Sequence, residues 1–310
     1  MLVVLSAADL AAEEAAFKPP THFEQVAAVG NLEGLSPVAR RAFEVTNEFS
    51  TIYVPKPMDW LGSFQEKTQT FDAFLRSGRN TPTATARTLY LQPFGQFVKD
   101  ESPDLNDLRD YCVAFFALPV KLLPSLPLPN GGRIKSRIRE NGLVQFLTDD
   151  FLELLKSRLP PDAFCVLGVT MEDLYPDEKW NFVFGQASLS DRVGVFSFKR
   201  FTPTWNRDPW NDETRHLLLR RSCDVLAHET GHMFGLSHCT FFECVMCGSN
   251  NLAEADGRPM HICPVCLRKL HSSIHFDILS RYRALLAFDE KHGLKDEAAW
   301  VKKRLERLAQ

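Results

Sequence analysis

The sequence predicts a mixed α/β fold with a long central helix and a helical C-terminal part. Three observations carry that expectation. Between residues 88 and 198, short apolar runs bounded by turn formers alternate with helical patterns, as in a sheet layered with helices. Over residues 213–235, Leu219, Cys223 and Leu226 recur at i, i+4 and i+7, one apolar stripe on an α-helix. A cysteine-rich irregular stretch follows at 238–266, and the last 40-odd residues read as helix again.

Taken in order, residues 1–87 read as an N-terminal extension with many turn formers, one or two helices and no chemistry of its own. Its clearest helix is 37–49, with Ser36 placed to cap it and Pro37 suited to the first turn. Residues 76–87 are polar, contain Gly and Pro, and read as an exposed loop. Strands are expected at Thr88–Phe94, 116–123, 142–147, 164–170, 181–187 and 194–198, and helices at 102–115 and 148–158. The acidic run 172–178 reads as a surface loop. Helical segments follow at 267–290 and 296–308, where Lys302-Lys303-Arg304 with Glu306 reads as a solvated face. The expected division is an extension (1–87), a main domain (88–290) with upper (88–237) and lower (238–290) parts, and a C-terminal helix (291–310).

Composition narrows the function classes. The chain has 310 residues, a formal net charge of −3 and a pI near 6.3, so no basic field exists to hold a phosphate backbone. No apolar run approaches the ~20 residues of a membrane helix. Residues 1–6 are apolar but lack a basic leader, and Glu13-Glu14 follow, so an intracellular location, cytoplasmic or nuclear, is expected. Of eight cysteines, Cys112, Cys165 and Cys223 are scattered singly. The other five crowd into one window, which points to metal binding rather than disulfides.

The chemistry concentrates in His228-Glu229-Thr230-Gly231-His232-Met233-Phe234-Gly235-Leu236-Ser237-His238. Positions i and i+4 share one helix face, so His228 and His232 can place two imidazoles on one ion. Glu229 projects ~100° away and can stand beside the metal without ligating it. Gly235 can enter the left-handed region, end the helix, and let His238 return as a third ligand. Three histidines and one open position suit a catalytic zinc. This spacing followed by a methionine turn is the metzincin signature, and Met246, eight residues past His238, is the expected turn methionine. Next come Cys239-x4-Cys244 and Cys263-x2-Cys266, two close pairs of thiolates that match a closed structural zinc site. Cys247 is left over and could replace Cys244 as ligand. His216, His261, His271 and His275 are not needed as ligands.

With these residues the chain resembles the archaemetzincins, metzincins that carry a cysteine-zinc loop directly after the third histidine. The residues Asp173-Leu174-Tyr175-Pro176, Asn181-Phe182-Val183-Phe184-Gly185-Gln186-Ala187 and Cys263-Pro264-Val265-Cys266-Leu267 resemble the family too, over roughly residues 88–290. The resemblance implies a metzincin-like fold: a twisted mixed sheet with helices above a cleft, and an irregular, helix-ended lower part carrying the four-cysteine zinc loop. An edge strand would flank the cleft and pair with extended substrate, with 181–187 the candidate.

The expected function is a zinc-dependent metallopeptidase, of endopeptidase or aminopeptidase type, acting on a peptide or protein. His228, His232 and His238 would hold the catalytic zinc, and Cys239, Cys244, Cys263 and Cys266 a structural one, two ions per chain. Glu229 would take the proton from the zinc-activated water and return it to the leaving amine. The alternative is a non-catalytic zinc-binding or adaptor protein on an inherited peptidase frame, against which the presence of Glu229 weighs. A nucleic-acid-binding zinc finger is disfavoured, since only Arg258, Arg268 and Lys269 lie near the cysteines.

Overall fold

Strands with apolar side chains on both faces can only form a sheet that is covered on both sides. In a computed structural model of the protein, which describes residues 17–128 and 131–310, three strands meet that condition. Residues 1–6 and Glu13-Glu14 lie outside the described residues. The strands are β1 (Thr88–Phe94), β2 (Val120–Leu122), β3 (Ser136–Ile138), β4 (Val144–Leu147), β5 (Ala163–Thr170), β6 (Asp173–Tyr175), β7 (Gly185–Ser188) and β8 (Val193–Ser197). β1, β5 and β8 are buried along their whole length.

One sheet has the order β2-β1-β5-β8-β7, parallel except that edge strand β7 runs antiparallel to β8. The other has the order β3-β4-β6. The helices are α1 (His22–Val29), α2 (Pro37–Phe43), α3 (Trp60–Ser63), α4 (Phe71–Arg76), α5 (Leu105–Phe116), α6 (Thr148–Ser157), α7 (Pro203–Asn206), α8 (Asp212–Met233), α9 (Leu252–Asp256), α10 (Pro264–Ile274), α11 (Ile278–Lys291) and α12 (Lys295–Leu308). Leu89, Leu91, Cys165, Leu167 and Val169 pack with α5 and α8 in the larger core. Tyr90, Phe94, Val166, Val193 and Val195 face the other way and pack with α6 in the smaller one. The larger core also takes in Ala28, Val29 and Phe43 near the N-terminus and Val301 and Leu308 near the C-terminus. No helix among the described residues is long and apolar enough to cross a membrane.

Several expectations are corrected. Residues 17–87 form four helices rather than one or two, and the helix expected at 37–49 stops at Phe43. The stop has a donor behind it: Arg304 Nη2 bonds the carbonyls of Arg41 (3.3 Å) and Ala42 (2.6 Å), which a longer helix would use itself. Arg304 is therefore not on a solvated face. It is fully buried, pairs with Glu48 at 2.7 Å and lies over the Phe49 ring, while Lys302 and Lys303 are exposed.

The acidic run 172–178 is not a simple surface loop either. It contains β6, and Asp173 is buried because Arg200 grips it bidentately (2.7 and 2.8 Å) and Gln145 donates to it (2.7 Å). The strand expected at 181–187 is divided between the sheets: Val183 bridges to Leu174 of β6, and only Gly185–Ser188 pairs with β8. The strand expected at 116–123 is shortened to β2 because Phe116 is buried as the last residue of α5 and Ala117 turns left-handed (φ 51°).

Removing one partner of a buried ion pair strands the other, at a cost of about 3–5 kcal/mol. Arg304→Ala should lower stability in urea denaturation by about that amount, and Lys303→Ala by less than about 0.5 kcal/mol. Equal, small effects would show that the guanidinium does not hold the two ends together.

Candidate metal centre

Helix α8 supplies the first half of the centre. Asn211 starts it with a capping box to Thr214, and the helix runs 22 residues to Met233. His228, Glu229 and His232 lie in its last two turns. Phe234 is the last near-helical residue, and Gly235 follows at φ +92°. The amide of Leu236 bonds the carbonyl of Gly231 (3.2 Å) and that of Gly235 bonds His232 (2.7 Å), the paired bonds of a left-handed helix stop. A side chain at Gly235 would also press on the backbone of Arg79, 3.1 Å from where a Cβ would sit. The expected turn at this glycine is thus present, and it brings His238 back over the helix.

One ring nitrogen from each of His228, His232 and His238 can be chosen so that all three lie within 4.8 Å of one another. The Nε2 atoms of His228 and His232 are 2.9 Å apart. Each Nδ1 is already engaged: that of His228 with the Val245 carbonyl (2.8 Å), that of His232 with the Leu236 carbonyl (2.6 Å), and that of His238 with Glu66 Oε1 (2.5 Å). An acceptor on every Nδ1 makes that nitrogen the protonated one and leaves the Nε2 lone pair for a metal. Burial lowers all three imidazole pKa values, which favours the neutral form that a metal needs.

Met246 lies beneath this arrangement, buried against Gly231. A Cβ on Gly231 would sit 2.5 Å from the Met246 sulfur, so glycine at 231 is what lets the methionine pack directly against the helix. Glu229 is buried and lines the same cavity of about 100 Å³ as His228 and His238, with Trp60, Phe184 and Phe201 among its walls.

Cys239, Cys244, Cys263 and Cys266 are all buried, with their sulfurs within 4.8 Å of one another. Cys239 and Cys263 are 3.6 Å apart, close to the roughly 3.8 Å that tetrahedral Zn–S bonds impose. Backbone amides favour the thiolate form: Cys263 N and Met246 N point to the Cys244 sulfur (3.3 and 3.5 Å), and Cys266 N to the Cys263 sulfur (3.5 Å). Cys263 caps α10 and Cys266 lies in its first turn, where the helix dipole also favours an anion. Bonds from neighbouring thiols, Cys244 first, hold Cys239 well below the usual thiol range, and burial pushes Cys244 and Cys263 above it. Cys247 is outside the group and donates to the Phe242 carbonyl (3.2 Å). Both donor sets fit zinc: three neutral imidazoles with room on one side, and four soft sulfurs with none.

Sequence reasoning missed Glu66 and Trp60. The extension was expected to carry no chemistry, yet it places a carboxylate on His238 and an indole ring 4.9 Å from it, edge-on. No spacing signals this, because Glu66 and His238 are 172 residues apart and meet only in the fold.

Asp224, one turn before His228, lines the cavity too. Burial pushes its carboxyl up to about 8, against the pull of Arg220 at 3.7 Å, and its Oδ1 has no hydrogen-bond partner among the described residues. A folded-state pKa above the ordinary value of about 4 means that this group's contribution to stability is fully present below pH ~4 and is lost as pH rises through about 8. Asp224→Asn stays neutral, so it should match the parent in thermal melts near pH 4 and exceed it above pH 8. Parallel melting profiles for the two proteins would show that Asp224 is not the source.

Residues 137–272 match the family model described as peptidase family M54. The chain is 40% identical to archaemetzincin-2 of Macaca fascicularis, across 81% of this chain and 78% of that one. Identity to archaemetzincin-2 of Homo sapiens is also 40%, across 79% and 76%. A solved archaemetzincin structure from Methanopyrus kandleri aligns with 63% of this chain and 99% of its own, at 29% identity and a TM-score of 0.46. On sequence identity carried over most of both chains, this protein belongs to the archaemetzincin family of zinc metallopeptidases, peptidase family M54.

Proposed function

We propose that the chain hydrolyses peptide bonds at a zinc centre held by His228, His232 and His238, with Glu229 as general base, and that Cys239, Cys244, Cys263 and Cys266 hold a second, structural zinc. The observation that carries this reading is the convergence of three imidazoles whose Nδ1 atoms are all engaged, with Glu229 in the same cavity.

Zinc in the histidine site supplies a Lewis acid that polarises the scissile carbonyl and acidifies water. The rest falls to the protein. Glu229, fixed on α8 between two of the ligands, takes a proton from the attacking water and passes it to the departing amine. The Nδ1 acceptors keep the rings from turning, so the geometry needs no reorganisation during the reaction. Phe184 and Phe201 wall the cavity and limit water there. Strand β7 is the edge strand of the larger sheet among the described residues, and its outer side can pair with an extended substrate backbone. The four-cysteine site closes the loop that carries Met246 and starts directly after His238, and its chemistry is structural because every ligand position is filled by sulfur.

Protein purified without chelator should contain about two equivalents of zinc. Glu229→Ala should retain both, melt near the parent temperature, and lose about 10²–10⁴ in hydrolysis rate on a peptide library. Libraries with free and with acetylated N-termini separate aminopeptidase from endopeptidase cleavage. Cys263→Ser should lose one zinc and much of its stability, whereas Cys247→Ser should be mild. A parent that cuts nothing in either library, or a Glu229→Ala protein that cuts as fast as the parent, would overturn the peptidase assignment of these residues.

A further inference from the structure

We infer that Glu66, from the N-terminal extension, is a positioning residue of the histidine centre: by fixing the His238 imidazole it sets how tightly that centre retains zinc. The inference rests on the histidine centre proposed above. Of the three acceptors on Nδ1, two are main-chain carbonyls, at Val245 and Leu236, supplied by the loop and turn next to the ligands themselves. The third is a side chain brought from a distant part of the chain. His238 lies on an irregular segment after the helix, so it lacks the helical backbone that orients His228 and His232.

Glu66 is itself held. Its Oε1 accepts the Trp60 indole N–H (2.6 Å) as well as the His238 Nδ1–H (2.5 Å). The Trp60 amide is in turn bound by both oxygens of Glu254 (3.0 and 3.1 Å), in α9. Three residues on, Gln69 accepts from the Ser237 amide (3.1 Å) and Lys269 Nζ (3.1 Å) and donates to the Gly235 carbonyl (3.0 Å). Residues 60–69 therefore grip the 235–238 turn from outside, and Glu66 is the point at which the grip reaches a proposed ligand. A carboxylate on Nδ1–H selects the tautomer with a bare Nε2, fixes the ring plane, and raises the basicity of the metal-binding nitrogen. Losing such a partner typically weakens metal binding about 10–100-fold.

The test uses the full chain and zinc itself. The zinc dissociation constant of the histidine site is measured by competition with a chromophoric chelator, for the parent, Glu66→Ala and Glu66→Gln. Proteins that carry zinc at the cysteines only are melted in parallel, and ¹⁵N shifts of labelled histidine report the tautomer of His238. Glu66→Ala should bind zinc about 10–100-fold more weakly and lose the Nδ1–H signature of His238. Glu66→Gln keeps an oxygen acceptor and should recover most of the affinity and the signature. A clasp with only a structural role would lower the melting temperature of the protein that carries zinc at the cysteines only, and leave the affinity of the histidine site untouched. Alanine-variant affinity within twofold of the parent, or a glutamine variant no tighter than the alanine one, overturns the inference. If the alanine variant does not fold, Glu66→Asp, which withdraws the carboxylate by one methylene, replaces it under the same criterion. A parent that holds zinc only at the cysteines overturns the histidine centre itself, and that result is read from the parent alone.

Discussion

The centre depends on a chain reversal completed within three residues of a helix end. Helix α8 carries two imidazoles and a carboxylate, but a straight helix offers no third imidazole at the right height. Gly235, at φ +92°, reverses the chain at once and leaves the helix carbonyls satisfied by the amides of residues 235 and 236. The same turn presents the Leu236 carbonyl to His232, so the segment that delivers the third imidazole also orients the second. A β-carbon at that position would meet both an unfavourable backbone conformation and the main chain of Arg79.

The reversal also sets two metal-binding chemistries side by side. His238 and Cys239 are adjacent in sequence, yet one belongs to the imidazole set and the other to the thiol set. The chain is not helical there, so adjacent side chains need not share a face. The loop at 244–247 serves both sets. Cys244 joins the thiols, the Val245 carbonyl holds His228, Met246 packs under Gly231, and the Met246 carbonyl accepts the Cys239 amide at 2.8 Å. A shift in this loop is felt by both centres, because packed interiors have no slack to absorb it.

What was legible in the sequence was local. The helix with its histidines, the glycine stop, the thiol pairs and the largely apolar strands β1, β5 and β8 each declare themselves within a dozen residues, and each is close to where periodicity or spacing puts it. What was not legible depended on partners far along the chain. Asp173 reads as surface until Arg200 and Gln145 are seen around it, and Arg304 reads as solvated until it is found on the carbonyls that end α2. Charged residues are buried only when paired, and no window of sequence contains the pair. Glu66 was missed for the same reason, and with it the contribution of the extension to the centre.

The contacts of Arg304 with Ala42 and Glu48 span more than 250 residues, and that of Glu66 with His238 spans 172. A ribosome releases the chain from its N-terminus, at about 5–20 residues per second. The early helices therefore wait for most of synthesis before the residues that hold them exist, and long-range closure of this kind is slow once it can begin. During that interval α1 and α2 lack the partners α10, α11 and α12 on which they later pack. Order in the nascent protein arrives from the middle outwards: the parallel strands can close before α12 is made, and the first-made segment is among the last to be locked.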